Sequence, residues 1–471
     1  MKIKLQPPRD YINIFLVSLP IVVLLIIVLL PFLNRTIKAP VRADAIGYYS
    51  YLPAIFNKKD LSFKYMINSK YLNNRGENSY EERFPPDQAE QTGFHYIENT
   101  DKYLDKYPIG EAILLLPFFI TGHLLTIIYH YDQSGYSYFY QYLCVFGGIV
   151  YFSLGMYLLK KFLQKYFFKQ IVINCALVLI FLATNLLNYS TYENLFSHIY
   201  SFFLVAALLN TTQQWFQKRN IRSSITLGIN LSFILLLRQI NIIFILIPLL
   251  YGVTSIKGFI NQIKKYINNY KYCVVVALTA FIIFLPQLLY WKYSTGSWFL
   301  YSYKGEGFSL QNTHFIESLF SITRGLFIWS PILIFGVIGV FLLKGELKKY
   351  RLAILVSLIL QWVIVSTWSS WTFGWGFGHR IFVDSLPLFS LGIANFIDYL
   401  FNIKLKQKRI IVYTSIIIFT GLAFLSIFQT TQYWVKILPP DTKDIEDYKK
   451  IFLQIDPKLI NYWREKYRLD N

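Results

Sequence analysis

A dozen apolar runs, most of them close to the ~20 residues a helix needs to cross the hydrocarbon core of a bilayer, dominate this chain. They occupy 11–33, 109–130, 137–159, 171–188, 195–214, 223–238, 240–255, 272–291, 325–343, 352–368, 380–401 and 410–430. Only helices and closed barrels satisfy their own backbone hydrogen bonds in lipid. Runs of this length and uniform hydrophobicity predict helices, and hence an all-α polytopic membrane protein of about 11–12 membrane segments. Composition agrees, because the 471 residues are 55% hydrophobic and only 15% charged, against ~25% charged in soluble domains. Intrinsic disorder, collagen, coiled coil and a disulfide scaffold are excluded on the same ground. Cys144, Cys175 and Cys273 all fall within apolar runs and read as small buried hydrophobes.

The net charge of +20 is confined to particular places. Five short segments between apolar runs, 160–169, 217–222, 257–271, 344–351 and 402–409, hold nineteen Lys/Arg and one acid, Glu346. Segment 34–108 is nearly neutral, with 11 basic and 10 acidic residues, and the tail 431–471 is balanced at 8 and 7. This is the positive-inside pattern. It predicts a cytoplasmic N-terminus, cytoplasmic basic loops, and an outer location for 34–108 and the tail. Basic residues scattered between spans do not form a nucleic-acid-binding face, so no nucleic-acid partner is expected. The first run has no small-residue cleavage site and reads as a retained anchor.

One span conflicts with this scheme. If 109–130 crosses fully, the basic segment 160–169 falls outside. If it re-enters or lies along the outer surface, every basic loop falls inside. Gly110, Pro117 and Gly122 favour a broken helix there. Between 223–238 and 240–255 stands Arg238-Gln239, too polar for the bilayer centre, which predicts a tight hairpin presenting Arg238 at the outer face.

The expected outer segments carry most of the chemistry-bearing residues. Asp44 follows the first run among Tyr48, Tyr49 and other aromatic residues, in a stretch suited to the headgroup region. A carboxylate there can serve as a general base, or it can simply pair with Arg42. Lys106 stands just before an apolar run, where an ammonium can hold a lipid phosphate or snorkel. Glu111, inside that run, needs a partner such as Lys106 or His123. Glu193 and His198 can ligate a divalent metal, with Asp44 as a third donor, although Glu193 can equally act as a cap. The aromatic segment 292–324 suits sugar rings or an interface belt. In WSSWTFGWGFGHR, Trp375 offers an aromatic face, and His379 and Arg380 offer donors for phosphate. Asp384, four residues on, can pair with Arg380. There is no Walker A, Rossmann, CxxC or HExxH motif, so a donor that already carries an activated bond fits better than cytoplasmic ATP.

Six segments, RADAIGYYSYLPAIF, KYPIGEAILLLPFF, TNLLNYSTYENLFSH, LLRQINIIF, SITRGLFIWSPIL and WSSWTFGWGFGHRIFVDSLP, occur in an order and local pattern that resembles the GT-C glycosyltransferases. The closer likeness is to bacterial relatives of protein O-mannosyltransferases and aminoarabinose transferases. It covers about 10–430. It implies a transmembrane module over 1–430 whose long first outer loop, 34–108, bears amphipathic helices, and a short outer tail at 431–471. The resemblance also implies an integral enzyme of the bacterial plasma membrane. Such an enzyme takes a sugar from a polyprenyl-phosphate donor, on the outer side, to a lipid, glycan or protein acceptor. By position, Asp44 matches the family's catalytic acid and Glu193 its second acid. Lys106 matches the carrier-phosphate contact, with Arg380, Arg238 and His379 assisting. Tyr48, Tyr49, His198 and Trp375 are then candidates for sugar or acceptor contact. No organic cofactor is implied, and metal dependence stays open. A lone Asp44 replaces the family's frequent acidic pair, and Ile109 replaces a second proline. The rival readings are an O-antigen polymerase or ligase, and a lipid or sugar transporter.

Overall fold

The computed structural model describes residues 40–68, 70–73, 80–83, 93–167, 169–303, 305–404, 406–439 and 444–467, with scattered positions of 19–27. The expected first span, 11–33, and the side of the N-terminus lie largely outside the described residues.

The first outer segment opens with helix α1, Asp44–Pro53, which is buried along nearly its whole length. Two antiparallel hairpins follow, β1 Lys70–Asn73 with β2 Tyr80–Arg83, and β3 Phe94–Ile97 with β4 Lys102–Asp105. Amphipathic helices were expected through this loop; it carries α1 and a short helix, Lys64–Asn68, together with these hairpins. In the second hairpin burial follows one end and not one face: Phe94, His95, Leu104 and Asp105 are buried, while Tyr96 is 44% exposed.

The rest is helical. In chain order come α2 Gly110–Ile128, α3 Tyr138–Leu163, α4 Gln170–Leu182, α5 His198–Gln217, α6 Ile221–Leu237, α7 Tyr270–Thr295, α8 Ile332–Phe341, α9 Lys348–Thr367, α10 Leu386–Asn402 and α11 Lys408–Trp434. Six helical stretches among the described residues are long and apolar enough to cross a membrane: α2, α3, α7, α11, and α9 and α10 with their preceding 3₁₀ turns. Shorter apolar helices, α4, α6, Gln239–Leu249 and α8, fill between them. Three expected spans are therefore interrupted. Run 171–188 breaks at Ala183–Asn185, between α4 and the short helix Leu186–Thr191. Run 240–255 becomes a 3₁₀ coil, Gln239–Ile245, and a single α-turn, Leu246–Leu249. Run 325–343 splits into Leu326–Trp329 and α8 at Ser330-Pro331. Proline has no N–H to donate and pushes the preceding residue out of the α region, and Ser330 sits at φ −142° and ψ 63°.

The five basic segments gather at one end. Lys165 donates to Asn210 and Gln213, and Lys169 to Asn402. Tyr350 stacks edge-on with Phe162 and Tyr251, and Tyr266 packs on Trp215. By Gly252, fourteen residues after Arg238, the chain is back at this end, because the Gly252 amide donates to the Lys349 carbonyl. The chain thus doubles back at Arg238 as predicted, although the Arg238 side chain is only 12% exposed.

Helix α2 does not reach the basic end. It packs antiparallel to α3: the Tyr151 hydroxyl donates to the Leu114 carbonyl, Phe118 lies over Gly147, and Gly122 abuts Phe139 and Tyr140. Helix α3 runs toward the basic end alongside α5, with Gly148 on Asn194 and Gly155 on Phe202. Helix α2 therefore rises away from that end, and the turn after it docks on α1, where Asn57 donates to the Gln133 carbonyl. Segment 160–169 thus shares an end with the other basic loops. The predicted break is absent, however, since α2 is continuous through Pro117.

Helix α8 crosses α10 closely. A Cβ at Gly339 would lie 1.8 Å from the Gly392 carbonyl oxygen, and one at Gly392 would lie 1.9 Å from that of Gly336. Small residues allow such backbone approach where lipid supplies no hydrophobic drive. Gly392→Leu is expected to force these helices apart at a cost of ~1–3 kcal/mol or more. A lowered unfolding temperature in detergent is the readout, and an unchanged one refutes the crossing.

Candidate functional site

Opposite the basic end, all six of the quoted segments meet. Asp44 is the first residue of α1, and its Oδ2 lies 2.9 Å from Nη1 of Arg380. The Asp44 side chain keeps 24% of its surface exposed, and Arg380 keeps 12%. The alternative partner of Asp44, Arg42, instead donates to the Tyr192 carbonyl at 2.8 Å and stacks over that ring.

Arg380 and Asp384 were candidates for a mutual pair, and the fold separates them. Residues Arg380–Ser385 form a 3₁₀ helix, in which positions four apart no longer share a face. Arg380 reaches Asp44, while Asp384 turns inward to His198, with Oδ1 2.8 Å from Nδ1. Arg238 completes that group, its Nη1 3.0 Å from His198 Nε2 and its Nε 3.6 Å from Asp384 Oδ2. The hydrogen-bond network assigns the Nδ1 proton of His198 to Asp384, leaving Nε2 to accept from Arg238. Asp384 and His198 are 0% and 1% exposed, so this is a buried, paired network, in which Asp384 Oδ2 faces Arg238 at ion-pair distance without a hydrogen bond.

Lys106 lies 3.6 Å from Glu306 and faces the rings of Tyr107 and Tyr303. Arg238 is within electrostatic reach of Tyr48, and Arg238 and Arg380 are both within reach of Tyr303 and of each other. The mouth of the site therefore sets two carboxylates, Asp44 beside Arg380 and Glu306 beside Lys106, among cationic side chains, a guanidinium pair foremost. Tyr48 is buried against Tyr107 with ring centroids 4.6 Å apart. Burial pushes the Tyr48 hydroxyl well up and Tyr303 up to about 12, so both stay protonated donors. Gly47 is required beneath them, because a Cβ there would meet Tyr107 at 2.1 Å.

The other sequence candidates fall in different places. Tyr49 is 1% exposed and its hydroxyl donates to the Gly135 carbonyl, so it anchors α1 to the turn after α2 and does not face the mouth. Trp375 is 63% exposed at the rim. Glu193 is held by the Asn188 amide at 2.8 Å and the Tyr433 hydroxyl at 3.3 Å. It supports the site from below, within the fields of Arg42 and Arg380. Asp44, Glu193 and His198 thus have separate partners, and among the described residues no three His, Cys, Asp or Glu side chains converge as a metal site. Glu111 has neither expected partner: Lys106 faces Glu306, His123 meets Tyr140, and both Glu111 carboxylate oxygens are buried without a hydrogen bond.

No family model matches this chain, and no curated protein does.

His379 is 1% exposed, and neither ring nitrogen has a hydrogen-bond partner among the described residues. Burial, then Arg324 and Arg380, push it down to about 3, so the ring is neutral and can both donate and accept. Arg324, whose Nη2 donates to the Gly374 carbonyl at 3.2 Å, is a contributor that had no assigned role in the sequence reading. An arginine beside a glycine in a loop gives no signal until that carbonyl is brought to it.

Two outcomes follow. Asp384→Ala leaves Arg238 and His198 buried without their carboxylate, at a cost of ~3–5 kcal/mol. Asp44→Ala at the open rim costs less, and comparing unfolding temperatures checks the order. Burial, only partly offset by Arg42 and Arg380, raises the Glu193 carboxyl above its usual value. The folded chain then binds more protons than the unfolded one above about pH 4.3. This group's contribution therefore falls as pH rises through the raised value. In Glu193→Gln the unfolding temperature is expected to decline less with rising pH than in the wild type, and parallel pH profiles would remove this assignment.

Proposed function

We propose that this chain is an integral-membrane glycosyltransferase that moves a sugar from a polyprenyl-phosphate donor to a lipid, glycan or protein acceptor. Transfer takes place at the outer face of a bacterial plasma membrane. The observation that carries the reading is the Asp44–Arg380 pair, 2.9 Å apart at the end opposite the basic segments, with Arg238 within electrostatic reach. An acid and two guanidiniums at one opening are what this transfer needs. The leaving group is a phosphate whose charge grows as the glycosidic bond breaks, and fixed cations there stabilise the transition state. The partly exposed carboxylate takes or orients the proton of the incoming nucleophile. Displacement in one step inverts the anomeric centre. The positive-inside rule assigns the basic end to the cytoplasm, so the mouth faces outward, where a lipid carrier enters sideways from the bilayer.

On this reading Asp44 and Arg380 hold each other until substrate separates them, the phosphate taking Arg380 and the acceptor hydroxyl taking Asp44. The test is sugar transfer by the purified protein from a panel of polyprenyl-phosphate sugars. Asp44→Asn is expected to lower kcat by ~10²–10⁴, the usual worth of a positioned acid or base. Arg380→Lys is expected to weaken the donor step through loss of the planar fork. Equal turnover in Asp44→Asn would remove that residue from the chemistry. A folded protein inactive with every donor would favour an O-antigen polymerase or ligase, or a transporter.

A further inference from the structure

Next to the mouth, and separate from it, lies a polar cleft of about 470 Å³ formed by the segment 309–317 and Ser369. Just before this segment in the chain stands Glu306, which faces Lys106 through one oxygen, 3.6 Å away, and accepts from Trp368 Nε1 through the other at 3.1 Å. The floor is held by backbone: the Ser309 amide donates to the Thr367 carbonyl and the His314 amide to that of Ser366, each at 2.7 Å. The cleft is therefore tied to α9, and two of its hydroxyls accept locally, Ser309 Oγ from the Asn312 amide and Ser369 Oγ from the Gly307 amide. The side-chain polar groups of Gln311, Asn312, Thr313 and Glu317 make no hydrogen bond to the described residues. His314 stacks on Trp371 with ring centroids 5.2 Å apart, which sets an aromatic edge beside the opening.

We propose that this cleft is a carbohydrate subsite that holds a neutral, hydroxyl-rich sugar unit alongside the reacting centre. Its described lining contains no Lys or Arg to pair with a phosphate and no aliphatic side chain to receive an acyl chain or an apolar peptide residue. What it offers is two primary amides, hydroxyls, an imidazole and one carboxylate. Amides and hydroxyls each donate and accept, as sugar hydroxyls do, and a carboxylate accepts from a pair of them. Specificity for such a ligand comes from a few convergent polar groups beside an aromatic surface. The inference deepens the transferase reading by giving the sugar-bearing acceptor a place to rest, and it rests on that reading only for the name of the acceptor.

The test is saturation-transfer NMR on the full chain in a detergent without a sugar headgroup, with maltotriose and chitotriose as probes and inorganic phosphate and a neutral tetrapeptide as comparisons. Sugar signals are expected with the wild type. They are expected to weaken about fivefold or more in Asn312→Ala/Glu317→Ala, the effect of losing one or two net hydrogen bonds. Both positions are exposed, and an unchanged unfolding temperature confirms the fold of the variant. Asp44→Asn is expected to keep the sugar signals whether or not it transfers sugar, which separates this proposal from the catalytic one. Undiminished sugar signals in the double variant, or saturation of the peptide or phosphate alone, would overturn it.

Discussion

The buried group of Asp384, His198 and Arg238 organises the functional end of this molecule. A carboxylate that is 0% exposed has to be neutralised, and doing so ties three parts of the chain together: the start of α5, the residue closing α6, and the 3₁₀ turn before α10. Removing any member strands the others in a medium that cannot solvate them. Because Asp384 is committed inward, the 3₁₀ geometry aims Arg380 elsewhere, toward α1. The ion pair at the mouth is thus a geometric consequence of the one beneath it. Neither was legible from the spacing of Arg380 and Asp384, which on a regular α-helix would have paired them with each other.

The same constraint, that charge and unsatisfied backbone avoid hydrocarbon, explains the layout at larger scale. Nineteen basic residues in five short segments collect at one end because each lies between helices that must present apolar surface to lipid. Helix α2 shows how the rule overrides local cues. Its glycines and Pro117 looked like a break, yet the helix runs on unbroken. What keeps 160–169 at the basic end is the direction of α2, and only its packing against α3 and α1 sets that direction.

Tyr49 and Glu193 illustrate a different limit. Both sit where a catalytic reading would look for them, in aromatic or acidic surroundings after apolar runs. In the fold, the Tyr49 hydroxyl closes a turn and Glu193 is bound by Asn188 and Tyr433. Residue type and position along the chain do not say which way a side chain points when an entire helix such as α1 is enclosed. Arg324 is the converse case, a buried guanidinium whose partner, the Gly374 carbonyl, lies 50 residues away.

The sequence by itself determined that this chain is a helical membrane protein, where its apolar segments lie, and which loops share a side. Those properties follow from local quantities, the length of an apolar run and the sign of the charge beside it, which the bilayer reads one segment at a time. The tertiary structure alone decided the partners of Asp44, Arg380, Asp384 and Glu111, the hairpins of the first loop, the interruptions of 171–188, 240–255 and 325–343, and the cleft beside the mouth. Each of these depends on contacts between segments far apart in the chain. The energy of a buried charge is set by whichever group is brought within a few ångströms of it, and no local pattern encodes that distance.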